Sequence, residues 1–147
     1  MKTIILSSFL LFLVSSLFAQ NENQKIDEQE IKKLTNDWMI AAKFRDEKTL
    51  NKIVAPEFKL GGTDLANPEL PRAIWMKNTM ENLKIDSINY IKLHVNIIEN
   101  VAIVQSTFYW SVSFRDMPAK KDTVNLVDTW IKRDLVWQVV SRLVVDK

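Results

Sequence analysis

The apolar positions of the chain change period twice. Ile4 to Phe18 is an unbroken apolar run apart from serines, preceded by Met1-Lys2 and closed by the small Ala19 and the polar Gln20-Asn21-Glu22-Asn23. A positive start, a short apolar core and a small residue before a polar exit describe a secretory signal peptide, with cleavage expected after Ala19. The run, about 15 residues, falls short of the ~20 that a membrane-spanning helix needs. Residues 1–19 are therefore read as the signal, 20–26 as an exposed N-terminal segment and 27–147 as one domain.

Helical spacing follows. Asp27 and Glu30 form a capping-box pattern, flanked by Ile26 and Ile31 as a hydrophobic staple. Ile31, Leu34, Trp38, Ala41 and Arg45 recur on one face and predict a helix from Glu28 to Arg45. Asp46 is a second N-cap, ahead of a short helix that presents Leu50, Ile53 and Val54 and ends at Pro56. Phe58 to Leu60 predicts a short strand, Gly61-Gly62 a turn, and Thr63 to Glu69 a loop. Pro71 opens a third helix over Arg72–Asn82, with Ala73, Met76, Met80 and Leu83 as its apolar stripe.

From Ser87 the period becomes two. Ile91, Leu93, Val95 and Ile97 alternate with Tyr90, Lys92, His94 and Asn96. A turn at Glu99-Asn100 returns the chain as Val101–Phe114, setting Ile97 opposite Ala102, Val95 opposite Val104 and Leu93 opposite Ser106. After a loop at Arg115–Asp122 come strands Thr123–Lys132 and Trp137–Val145. Turning at Asp134-Leu135 sets Trp130 opposite Val139 and Asp128 opposite Ser141. The inner face then carries Phe108, Trp110, Val124, Leu126, Asp128 and Trp130, with Trp137, Val139, Ser141 and Leu143. Arg142, Val140 and Val144 fall on the outer face with Tyr90, Ile103, Tyr109, Val127 and Ile131. Helices first and an antiparallel meander afterwards make an α+β fold.

Composition narrows the chemistry. Cysteine is absent, which excludes disulfides, thiolate metal sites and cysteine catalysis. The single histidine, His94, falls on the outer face beside Lys92 and Asn96, away from any cleft a catalytic triad would need. No metal site and no cofactor is implied, and no nucleotide-binding glycine motif occurs. Lys and Arg number 20 against 18 Asp and Glu, so there is no electrostatic case for nucleic acid. Lys120-Lys121 and Lys132-Arg133 read as solvated loop and turn charges.

Helix, helix, short strand, helix and long meander, in this order, resemble the nuclear transport factor 2-like superfamily, a cone-shaped α+β fold of three N-terminal helices on a curved antiparallel sheet. The local motifs resemble its SnoaL-like branch. They are Trp38 with Ala41-Ala42, Asp46, Leu50 and Phe58, then Glu99 to Val104, then Asp128 to Asp134 followed by Trp137-Gln138-Val139-Val140. The likeness spans about residues 27 to 145. It departs from the family at Leu135-Val136, where a glycine often makes the last turn, and in the closing strand, where Ser141 and Leu143 stand in place of a histidine.

The resemblance implies a pocket between sheet and helices. Its expected lining is Trp38, Trp75, Phe108, Trp110, Asp128 and Trp130, an aromatic chamber suited to a small apolar or amphipathic molecule. Asp128, buried there, is the candidate catalytic acid or base. Steroid-isomerase-like relatives place an acid near the end of the first strand, but here Phe58 to Gly62 holds none, and the next is Asp64. Three readings stay open: an exported (periplasmic or secreted) pocket protein without chemistry, an isomerase, dehydratase or cyclase, and an interaction module whose cone is filled by its own side chains. The apolar outer sheet face predicts a homodimer, and cleavage of the signal would leave no membrane attachment.

Overall fold

The computed structural model describes residues 3–62 and 69–145, with side chains from Glu22 onward. Three helical elements lie against one six-stranded sheet. In chain order these are α1 (Thr3–Phe44), α2 (Glu47–Ile53), β1 (Val54–Gly62), β2 (Leu70–Pro71) and α3 (Arg72–Lys77), which runs into a π-helical turn (Asn78–Asn82). Then come β3 (Leu83–Ile98), β4 (Val101–Phe114), β5 (Lys120–Arg133) and β6 (Val136–Val145). The strand order is β2-β1-β6-β5-β4-β3, antiparallel throughout except for the parallel pair β1–β6.

The first helix does not start at Asp27. Gln20 to Ile26 contains no glycine or proline to stop a helix, and α1 runs straight through it. Asp27 is consequently not a cap. Its carboxylate accepts hydrogen bonds from Lys132 Nζ and from Trp137 Nε1 at 3.3 Å, which fastens α1 to the closing hairpin. The helix ends as the sequence predicts: Arg45 takes a left-handed φ of 58°, and Asp46 caps α2 by accepting from Thr49 N. Leu50, Ile53 and Val54 are all buried.

On α3 the buried side chains are Trp75 and Met76, followed by Thr79 in the π-helical turn; Ala73, expected in the apolar stripe, is exposed. Gly61 and Gly62 continue β1 instead of turning, because they pair with Leu143 and Val144 of β6. Thr63 to Pro68, including Asp64, lie outside the described residues.

The hairpin β3–β4 has the predicted register from its turn outward: Ile98 faces Val101, Ile97 Ala102, Val95 Val104 and Leu93 Ser106. A bulge then intervenes between Tyr90 and Lys92, and a second between Ile85 and Ser87. Each inserts one residue and reverses the faces beyond it. Ile91, expected inside, is therefore 57% exposed. Tyr90, expected outside, turns inward against Phe108, at 5.6 Å between ring centroids. Ile88 and Ile85 follow it onto the inner face, opposite Trp110 and Val112.

The closing hairpin shows the same effect. Trp130 faces Val139 as predicted, but a register shift follows, so that Thr129 pairs with Ser141 and Asp128 with Arg142. The extra residue is Val140. Beyond it, Arg142 and Val144 point inward, while Ser141 and Leu143 take the outer face. The turn is made by Asp134 and Leu135, both at positive φ (48° and 65°), the two-residue geometry that suits the twist of a hairpin.

Candidate functional site

One cavity of about 460 Å³ opens between α1, α3 and the inner face of the sheet. Its walls are aromatic and aliphatic. Trp75 comes from α3, Phe108 and Trp110 from β4, and Val124 and Leu126 from β5. Phe108 lies edge-on between Tyr90 and Trp110, at 5.6 and 5.5 Å, so β3 and β4 together present a row of edge-to-face rings. Burial pushes the Tyr90 phenol up to about 12, with a smaller opposing pull from Arg142. The phenol stays protonated at neutral pH and directs its hydroxyl at the Thr35 carbonyl, 3.5 Å away.

The sequence-predicted lining divides in two. Trp75, Phe108 and Trp110 face the cavity; Trp38, Asp128 and Trp130 do not line it, being wholly buried in the packed layer that floors it. Trp38 sits at the centre of that floor. It packs on Phe58 at 5.7 Å, Trp75 at 5.8 Å and Trp130 at 6.0 Å between ring centroids. These rings fill the narrow end of the sheet, where β1 closes against β6, and leave the wider end open.

Asp128 is not an exposed acid. Arg142 Nε donates to its Oδ1 at 2.7 Å and Arg142 Nη2 to its Oδ2 at 2.8 Å, a two-pronged ion pair with the carboxylate completely buried. Both carboxylate oxygens are thus engaged, and the carboxylate lines no cavity. The bulge at Val140 causes this: it carries Arg142 across the sheet onto Asp128, where the uninterrupted register would have put Ser141.

Arg142, which sequence periodicity placed on the outer face, instead lines the cavity, where Asn78 and Thr79 are the uncharged polar residues. The Arg142 guanidinium carbon lies over the Trp38 ring, 3.7 Å from the centroid, and Nη1 approaches Met39 Sδ at 3.2 Å. A lone arginine inside the apolar run Val139 to Val145 was the available signal, as was a lone inward acid in need of a cation. Toward the mouth the charged lining consists of Lys120 and Asp122, which pair with each other at 3.0 Å. Among the described residues no three His, Asp or Glu side chains assemble as metal ligands. His94 is exposed on the outer face, as its position predicts.

A cone of three helical elements over a curved sheet, open at one end onto an aromatic cavity, matches solved structures closely in shape. An NTF2-like protein from Cytophaga hutchinsonii superposes with a TM-score of 0.73 over 82% of this chain and 98% of that one, at 10% identity. The chain has the nuclear transport factor 2-like fold. The association domain of C. elegans CaMKII superposes on the same cone with a TM-score of 0.66, covering 84% and 98% of the two chains at 15% identity. A ketosteroid isomerase-like protein from Shewanella frigidimarina does so at 0.59, covering 76% and 91% at 11% identity. No protein-family model and no curated protein matches the sequence. The NTF2-like cone is therefore shared across association and isomerase-like proteins, and identities this low transfer the architecture alone.

Proposed function

We propose that this NTF2-like chain is an exported, SnoaL-like pocket protein that holds a small apolar or amphipathic molecule without transforming it. The observation that carries the reading is the cavity itself: about 460 Å³, walled by Trp75, Phe108 and Trp110, with Asp128, the one buried acid among the described residues, sealed behind Arg142. This volume lies within the range of small-molecule sites, and the walls supply contact area more than reactive groups. An acid or base must come within hydrogen-bonding reach of the proton it moves. Asp128 meets a guanidinium at both oxygens instead. The apolar run before Ala19 supports export, with Gln20 as the first residue of the processed chain.

The test is uptake of N-phenyl-1-naphthylamine, a neutral apolar dye that brightens on leaving water. The processed chain is expected to bind it at one site per chain. Val124→Trp, which places an indole in the cavity from a half-buried position on β5, is expected to reduce that binding at least tenfold while the circular dichroism spectrum is unchanged. Equal binding by both proteins would put the dye elsewhere and remove the cavity from the site.

We also propose a homodimer through the outer sheet face. Ile98, Tyr109 and Leu143 are exposed there at 62%, 40% and 38%. Arg142 and Tyr90 take no part in this face, since the bulges turn them inward. Light scattering is expected to give twice the chain mass for the processed protein and the single mass for Tyr109→Glu, whose charge would be buried unpaired at such an interface. A monomeric native protein would overturn the proposal.

A further inference from the structure

The state of the two cations in the cavity wall bears on which ligand fits. Lys120 is paired with Asp122, and Arg142 with Asp128. Each positive charge that lines the space is already matched by a carboxylate, so the cavity offers aromatic surface and no net charge. A ligand anion entering it would lose its hydration without gaining an unmatched cation.

Arg142 nevertheless has hydrogen-bonding capacity to spare. Of its five N–H groups, one on Nε and one on Nη2 serve Asp128. Nη1 is turned toward Met39, which itself lines the cavity, and among the described residues finds there a thioether sulfur, a weak acceptor. The guanidinium cannot swing away to find a better one. Asp128 holds one edge in plane and Trp38 covers one face at 3.7 Å.

Resting on the pocket reading above, we propose that the cavity selects an uncharged apolar molecule carrying one hydrogen-bond acceptor, such as a ketone or ester carbonyl, at its deep end. The acceptor oxygen takes an Nη1 hydrogen of Arg142 in place of the Met39 sulfur. The apolar body lies against Trp75, Phe108 and Trp110. Asp128 acts as a positioning residue: it neutralises and orients Arg142 and does not touch the ligand.

Three probes of nearly equal size separate the possibilities: 2-acetylnaphthalene, 2-ethylnaphthalene and 2-naphthoate, titrated into the processed chain by tryptophan quenching. The ketone is expected to bind about tenfold more tightly than the ethyl compound, the increment of one hydrogen bond to a charged donor. The carboxylate is expected to bind at least tenfold more weakly than the ketone. In Asp128→Leu/Arg142→Met, which removes the pair and keeps its volume, the ketone and ethyl compounds should bind equally, with the ethyl compound's affinity retained. Equal binding of these two by the native chain overturns the proposal and leaves the pocket reading standing. So does tightest binding of 2-naphthoate, or a ketone preference that survives in the double variant. If that variant does not unfold cooperatively, the native-chain comparison decides alone. Failure of all three probes to bind removes the pocket reading, and this proposal with it.

Discussion

Arg142→Met is expected to destabilise the fold by about 3–5 kcal/mol, the cost of leaving one member of a buried ion pair without its partner. Asp128 is completely buried and has both oxygens bound to the guanidinium, so the variant strands a carboxylate in the core. Asp128→Leu should cost a similar amount by stranding the arginine, reduced by the cavity opening through which Arg142 can take up water. The double variant Asp128→Leu/Arg142→Met is expected to lie within about 2 kcal/mol of the native chain, because apolar groups of like volume replace a buried pair at little net cost. Urea unfolding of the four proteins closes the cycle, with an expected coupling of several kcal/mol. Additive single-site losses would mean that the pair is wet and the site differently built. Such a pair is a poor source of stability but a strong determinant of register. Slipping β6 by one residue against β5 would point Arg142 outward and leave Asp128 buried alone.

The second large effect concerns Trp38. Trp38→Ala is expected to cost about 3–5 kcal/mol, the range for truncating a buried aromatic side chain. It deletes the ring on which Phe58, Trp75, Trp130 and the Arg142 guanidinium all pack. Trp38→Phe separates packing from polarity. The Nε1 hydrogens of Trp38 and Trp130 are buried with no hydrogen-bond partner among the described residues, so phenylalanine removes an unsatisfied donor while keeping most of the ring. Its loss should be at least 2 kcal/mol smaller than that of alanine, measured by the same urea titrations. A phenylalanine variant as unstable as the alanine one would show that the indole N–H matters more than the packing. Trp38 is thus part of the floor that holds the site in place, and its effect on binding is expected to act through Arg142.

These two residues show why the site was only half legible in the sequence. Trp75, Phe108 and Trp110 were recognisable as cavity walls because strand alternation and helical spacing put them on the inner side. Trp38 and Trp130 have the same signature, since periodicity reports which face a side chain takes and not how much room is left there. Whether a ring lines a hollow or plugs it depends on what arrives from the opposite layer. At the narrow end Phe58, Trp75 and Trp130 crowd Trp38 from several elements.

The alternation of apolar and polar residues by itself determined the α+β class, the order of the elements, the turn at Glu99-Asn100, the register of both hairpins close to their turns, and the burial of Asp128. Tertiary structure alone decided what lies beyond the bulges. One inserted residue at Ile91 brings Tyr90 beneath Phe108, and one at Val140 brings Arg142 onto Asp128. Counting by twos from a turn is reliable only while the ladder is unbroken. Whether it breaks is set by long-range interactions, such as the need of a buried carboxylate for a cation, and in β6 the local trace of these is the lone Arg142 within an apolar run.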